Sequence, residues 1–263
     1  MRRNRKVIFL VFFLSTLLII LLYFYNRFSI ATENTQSNTL EPLNSTELTV
    51  GIIGDSWVAG GVMDEPLKNA FKKIRLDATI VSSGMGGAKT KQVYRKLFAG
   101  EKDVFSSQFI KKMQVRYCVV CCGVNDSFGQ FGKRFYSRHM CLIIKELLKY
   151  NIRPVIVELP EYGVLELQEK LHIVNKIKNQ VYAYFTSNSG IDNIQEYRAA
   201  LNEELRKQLL RDKVLFVDFD NICKDYSDCK ELYTDHLHLT YPAYEKLCDE
   251  IASVIDFDFN LVK

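Results

Sequence analysis

Histidine is scarce in this chain: four residues in 263, with a single tryptophan beside them. Two of the four, His236 and His238, sit together in "TDHLHLT". A concentrated basic face is also missing. The formal net charge is +4, but residues 1–47 hold five Lys or Arg against three Glu, so the remainder is close to balance. That excludes the electrostatic footprint of a nucleic-acid binder. No internal repeat is present, and no low-complexity tract lies outside residues 27–47.

Charge is absent altogether from residues 7–25, "VIFLVFFLSTLLIILLYFY". As a helix this run would be roughly 28 Å long, close to the hydrocarbon thickness of a bilayer. It has no polar face, which argues against a buried core helix. A cleaved signal peptide is the nearer rival, since Ser29-Ile30-Ala31 fits a small-x-small cleavage site. Its apolar stretch is usually shorter. Residues 1–26 therefore read as a cytoplasmic basic end plus a membrane anchor, with secretion after cleavage as the alternative. The positive-inside rule keeps "RRNRK" in the cytoplasm and puts the rest of the chain outside, in the periplasm or the cell exterior. Residues 27–47, rich in Ser, Thr and Asn, read as a flexible linker. Asn44-Ser45-Thr46 within it matches a glycosylation sequon. Residues 48–263 form the remaining domain.

Seven cysteines leave at least one unpaired within a monomer. Cys118, Cys121 and Cys122 lie in the apolar run "RYCVVCCG" and read as small hydrophobes of a buried strand. Metal binding there is disfavoured, because adjacent Cys121 and Cys122 face opposite sides of a strand. Cys223 and Cys229 flank a short polar loop. A disulfide worth about 2 kcal/mol and two free thiols are both open readings.

Beyond Leu48, short apolar β-branched runs alternate with amphipathic stretches. Strands are expected at 47–54, 77–84, 116–123, 153–160 and 213–220, each with the composition of a strand buried on both faces. Helices are expected at 136–151, 167–185, 194–210 and 242–255, the last opened by Pro242. Such alternation implies a parallel sheet with helices on both faces, and ligands of such folds bind beyond the carboxyl ends of the strands.

Those ends carry Gly54-Asp55-Ser56-Trp57, then Gly84, then Gly123-Val124-Asn125-Asp126, and finally Asp235-His236-Leu237-His238. Each block alone reads as a turn, a cap or a surface pair. Together they suit acyl transfer. A serine hydroxyl needs a base, an imidazole serves as one near neutrality, a carboxylate orients it, and fixed N–H donors stabilise the oxyanion. The Asp-x-x-His spacing selects His238 as base over His236, which reads as a loop residue or a substrate contact. His139 and His172 fall on helical patterns as surface or packing residues.

The four blocks resemble the SGNH superfamily, the GDSL-type esterases and lipases, across residues 48–256. The resemblance implies an α/β fold: a flavodoxin-like three-layer α/β/α domain with a five-stranded parallel sheet. It also implies acyl-ester chemistry with Ser56 as nucleophile, Asp235 and His238 completing a triad, and Ser56, Gly84 and Asn125 forming the oxyanion hole, with no metal or organic cofactor. Two positions depart from the common pattern: Trp57 where many relatives have leucine, and Ser82 where an asparagine often precedes the second-block glycine. Trp57 reads equally as a wall of the acyl pocket or as packing. Asp55 and Asp126 read as turn or cap residues. The substrate class this suggests is a small acyl ester, often acetyl, on a carbohydrate or envelope polymer. An acyltransferase with the same triad and a catalytically silent envelope-binding protein are the alternatives. Long-chain lipase activity is disfavoured because no apolar lid is evident.

Overall fold

The structure is a computed structural model that describes residues 2–33, 48–98, 114–186 and 193–261. The sequon and most of the expected linker lie outside the described residues. Residues 1–31 and 32–263 form two separate units.

The first unit is one helix, α1 (Arg2–Phe28). Its stretch Phe9–Phe28 has a mean hydropathy of 2.2 and is long and apolar enough to be a membrane span or a signal sequence.

The second unit is built on five strands: β1 (Leu48–Gly54), β2 (Ala78–Gly84), β3 (Tyr117–Cys121), β4 (Arg153–Val157) and β5 (Leu215–Val217). They pair in the order β2-β1-β3-β4-β5, parallel throughout. All five fall inside the apolar runs of the sequence. Every residue of β1 and β3 is buried, as central strands covered on both faces must be.

The helices of this unit are α2 (Asp64–Lys73), α3 (Thr90–Lys96), α4 (Val124–Phe128), α5 (Lys133–Lys149), α6 (Val164–Lys170), α7 (Ile173–Thr186), α8 (Ile194–Lys207) and α9 (Tyr241–Leu261). Right-handed crossovers decide their faces. The β1-to-β2 step runs one way along the sheet and the β2-to-β3 step runs back, so their helices cover opposite faces. Accordingly α2 packs with α9, and α5 packs with α3 and α8. This is the α/β architecture that the strand pattern implied.

The expected helix 167–185 differs from what is found. It is two helices broken at Leu171, whose backbone is extended. His172 opens the second: its carbonyl accepts from Asn175 and Lys176, and its ring Nδ1 accepts from the Val174 N–H at 3.4 Å. The apolar side of α7 also faces outward. Ile173, Val174, Ile177, Val181 and Tyr184 are exposed, while Asn179 and Tyr182 are buried. Asn179 Nδ2 holds the inner side by donating to the Phe128 carbonyl at 3.2 Å and to Gln168 Oε1 at 3.3 Å.

The strand ends are tightly packed around polar groups. Asp55 is fully buried, its Oδ1 accepting from the Trp57 N–H at 3.1 Å. Burial pushes its carboxyl up to about 7, against the lowering effect of that hydrogen bond. Asp126 is also fully buried, accepting from the Thr90 N–H at 2.9 Å and the Thr90 hydroxyl at 2.7 Å. Burial raises it to about 6, the Thr90 bonds opposing. Gly84 lies against the turn that follows β1. A Cβ there would stand 2.2 Å from Ala59 N and 2.4 Å from the Val58 carbonyl carbon.

Two outcomes follow from this packing. Gly84→Ala, which must displace backbone rather than a side chain, should cost roughly 1–3 kcal/mol in denaturant unfolding. Asp55 holds a proton in the folded state that it releases in the unfolded chain, so its contribution is fully present below its unfolded value of 3.8 and is lost as pH rises towards about 7. Asp55→Asn keeps the acceptor for Trp57 N–H without the titration. Its unfolding temperature should fall less than the wild type's across that interval; an identical slope would remove Asp55 from the linkage.

Candidate active site

The carboxyl ends of β2, β1 and β3 stand side by side, with Gly54 in register with both Gly84 and Cys121. The chain leaving β1 turns at once, the Asp55 carbonyl accepting from the Val58 and Ala59 N–H groups. This turn lifts Ser56, half-buried, to the sheet edge while Asp55 and Trp57 point into the core. After β3, Gly123 takes φ +128°, a conformation suited to glycine, and α4 begins. Asn125 lies in the first turn of α4.

The Asp-His segment arrives from β5 at the far end of the sheet. Residues 234–238 form a loop closed by a bridge between Tyr233 and Leu239 and by the Thr234 N–H donating to the His238 carbonyl at 2.8 Å. Asp235 Oδ1 accepts from the Leu237 N–H at 3.2 Å and the His238 N–H at 2.8 Å. The side chain of His238 folds back so that Nδ1 lies 2.8 Å from Asp235 Oδ2. Its Nε2 lies 2.9 Å from Ser56 Oγ, across 182 positions of sequence. A carboxylate can only accept, so Nδ1 carries the proton and Nε2 is left to accept from the serine hydroxyl. Partial burial works to raise the Asp235 carboxyl, but the hydrogen bonds from the His238 ring and backbone outweigh it and hold it below its ordinary value.

Asn125 contributes a second feature. Its amide lies close enough to Asp55 to help lower that carboxyl, but Nδ2 makes no hydrogen bond of good geometry among the described residues. A buried amide donor left unsatisfied costs about 1–3 kcal/mol, a cost that a ligand oxygen would relieve.

Trp57 points inward from the turn after β1. It is 1% exposed, packs against Phe219 and Tyr244, and donates from Nε1 to the Leu237 carbonyl at 3.1 Å. It ties the turn after β1 to the loop that carries Asp235 and His238. Spacing in the sequence gave no signal for this bond. His236 takes φ +67°, and its ring engages the Tyr226 hydroxyl through Nδ1 and Lys170 Nζ through Nε2, the latter at 2.6 Å. Its carbonyl accepts from the Gly163 N–H. Tyr226 belongs to a loop closed by a disulfide between Cys223 and Cys229, one of the two readings left open in the sequence. Between this loop and α6 lies a cleft of about 450 Å³ edged by Glu161, Leu165, Glu166, Asp225 and Tyr226.

His139 is buried in α5, its Nδ1 donating to the Phe135 carbonyl at 2.7 Å, and burial lowers it to about 4. His172 is exposed at the start of α7. Cys118, Cys121 and Cys122 are buried thiols. Among the described residues no group of three or more His, Cys, Asp or Glu converges as a metal site.

Comparison with solved structures places the fold. The chain is similar to a lipase/acylhydrolase from Enterococcus faecalis at 16% identity and a TM-score of 0.58, covering 80% of this chain and 96% of that one. It is similar to a psychrotrophic esterase from Pseudoalteromonas sp. at 14% identity and a TM-score of 0.57, covering 81% and 100%. It is also similar to a family 3 carbohydrate esterase from Clostridium thermocellum at 13% identity and a TM-score of 0.56, covering 82% and 98%. No curated protein matches it by sequence. The model of the GDSL-like lipase/acylhydrolase family matches residues 52–246, from within β1 into α9. The chain belongs to that family, and it is a hydrolase of ester bonds.

Proposed function

We propose that Ser56 is the nucleophile, His238 its base and Asp235 the carboxylate that orients the base. The observation that carries this reading is the continuous hydrogen-bonded line from Ser56 Oγ through both ring nitrogens of His238 to Asp235. As Ser56 Oγ attacks the ester carbonyl, its proton passes to His238 Nε2. The imidazolium so formed is stabilised by Asp235. The carbonyl oxygen becomes an anion facing Asn125 Nδ2 and the backbone N–H groups of Ser56 and Gly84, a set that acts as the oxyanion hole. Collapse breaks the bond to the leaving alkoxide, which takes the proton from His238. Water then attacks the acyl-enzyme by the same route, releasing the acid and restoring Ser56. The step calls for neither metal nor organic cofactor.

The substrate class in this proposal is a small acyl ester, acetyl above all, on a carbohydrate or envelope polymer. The cleft edged by Tyr226, whose hydroxyl meets His236, supports it by offering room and the polar groups of Glu161, Glu166 and Asp225 to a hydroxyl-rich leaving group. In this reading Trp57 acts by holding the histidine loop and His236 by fixing its far side, neither by touching the acyl group. Residues 7–25 anchor the chain in the membrane, the N-terminus is cytoplasmic, and residues 48–263 work in the periplasm or outside the cell. Transfer of the acyl group to a glycan hydroxyl uses the same acyl-enzyme and differs only in what attacks it.

The test is hydrolysis of a chromogenic acetyl ester by the full chain in detergent. Ser56→Ala should abolish turnover, and Asn125→Ala should lower kcat by about a hundredfold or more. A Ser56→Ala variant as active as wild type would overturn the assignment. If wild type is silent with water alone and active once an acceptor sugar is added, the transferase reading replaces hydrolysis.

A further inference from the structure

An amphipathic helix on the surface of a folded domain normally turns its apolar stripe to the core. Helix α7 does the reverse. At 3.6 residues per turn, Ile173, Val174, Ile177, Val181 and Tyr184 fall within about 100° of its circumference, and all five are exposed. The buried side carries Asn179, bonded to the Phe128 carbonyl and to Gln168. The domain receives this helix through Asn179 and through Tyr182, whose ring packs on Phe131, and leaves a continuous apolar stripe outside.

The charges on α7 say what suits that stripe. Lys176 and Lys178 flank it on opposite sides, and α7 contains no Asp or Glu. A lysine on each border of an apolar face is the arrangement of a helix lying in a bilayer surface: the apolar side enters the acyl boundary and the ammonium groups reach up to anionic headgroups. A second copy fits less well. Two-fold pairing of α7 with itself would set lysine against lysine with no carboxylate in the helix to answer them. The same chain also carries a helix, Phe9–Phe28, of the length and apolarity of a membrane span.

We propose that α7 is a membrane-surface docking element, seated by its apolar stripe in the headgroup boundary of an anionic bilayer. The stripe begins three residues beyond Lys170, whose Nζ bonds His236 Nε2. Docking by this surface would bring the His236 side of the site close to the lipid, where a membrane-borne ester would be presented. The proposal draws on the anchor reading only for proximity to a bilayer.

The lone tryptophan makes a direct test possible, because Trp57 is fully buried. Full chain bearing Ile177→Trp is reconstituted into vesicles of phosphatidylglycerol and phosphatidylcholine containing brominated lipid. Phe257→Trp, at an exposed position on α9, serves as control. The expected result is a blue-shifted emission for Ile177→Trp that brominated lipid quenches, while the control is not quenched. Adding Lys176→Glu and Lys178→Glu should reduce that quenching, and so should vesicles of phosphatidylcholine alone. Protein that floats with vesicles while Ile177→Trp keeps the unquenched emission of a water-exposed indole overturns the proposal. A blue shift that follows protein density and ignores brominated lipid also overturns it, in favour of a second copy. Protein that does not float with vesicles at all, and whose Ile177→Trp is equally unquenched when they are added in excess, defeats the anchor and the docking element together.

Discussion

Beside the contact between Ser56 and His238 itself, a second hydrogen bond braces the two halves of the site. The parallel order β2-β1-β3-β4-β5 places Ser56 at the end of one inner strand and starts the Asp-His loop from an outer one. Three strand spacings, roughly 14 Å, separate β1 from β5, so the loop must be brought back across the sheet edge. The Trp57 indole N–H does this by capturing the Leu237 carbonyl, one residue before His238. Its ring is fixed in turn by Phe219, just past β5, and by Tyr244 in the first turn of α9. Residues from both sides of the loop thus clamp the ring next to the serine, and the short contact between Ser56 and His238 depends on that clamp.

The strands were legible because nothing competes with their signal. A strand covered on both faces has no reason to alternate, and runs such as "TVGII" and "YCVVC" can be buried only in the middle of a sheet. The blocks at the strand ends were legible because Gly, Asp, Ser and Asn at those places satisfy backbone geometry and chemistry together. Trp57 was ambiguous because an indole suits a pocket wall and a core equally. Its hydrogen-bond partner lies 180 residues away, out of reach of any local pattern. The break at Leu171 was hidden because no proline or glycine marks it. The face of α7 was misleading for a deeper reason: periodicity reports that a helix has an apolar side, not which solvent or surface that side meets.

Polar groups beneath the site run against the usual economy of a core. Asp55 and Asp126 are both fully buried, and Asn125 keeps an amide donor unsatisfied. An apolar floor would cost less to bury. Here each group fixes a turn: Asp55 the one that presents Ser56, Asp126 the start of α3 through Thr90. Stability is given up locally so that backbone N–H groups and one side-chain amide are held at the sheet edge in advance of any ligand.

The distribution of sulfur has a consequence for how the chain must mature. Five thiols are buried, four in strands or helices and Cys122 just past β3, with burial raising Cys118, Cys121 and Cys122 well above the ordinary thiol range, while Cys223 and Cys229 are joined in a loop. The folded molecule exposes no free thiol to an oxidant. An emerging, unfolded chain in an oxidising compartment has seven, and thiolate chemistry does not distinguish the correct pair from the others. In such a compartment maturation would be a race: β3 and the helices against it would have to close over their cysteines before those thiols are oxidised, and collapse of the sheet would then set the yield of properly bonded protein.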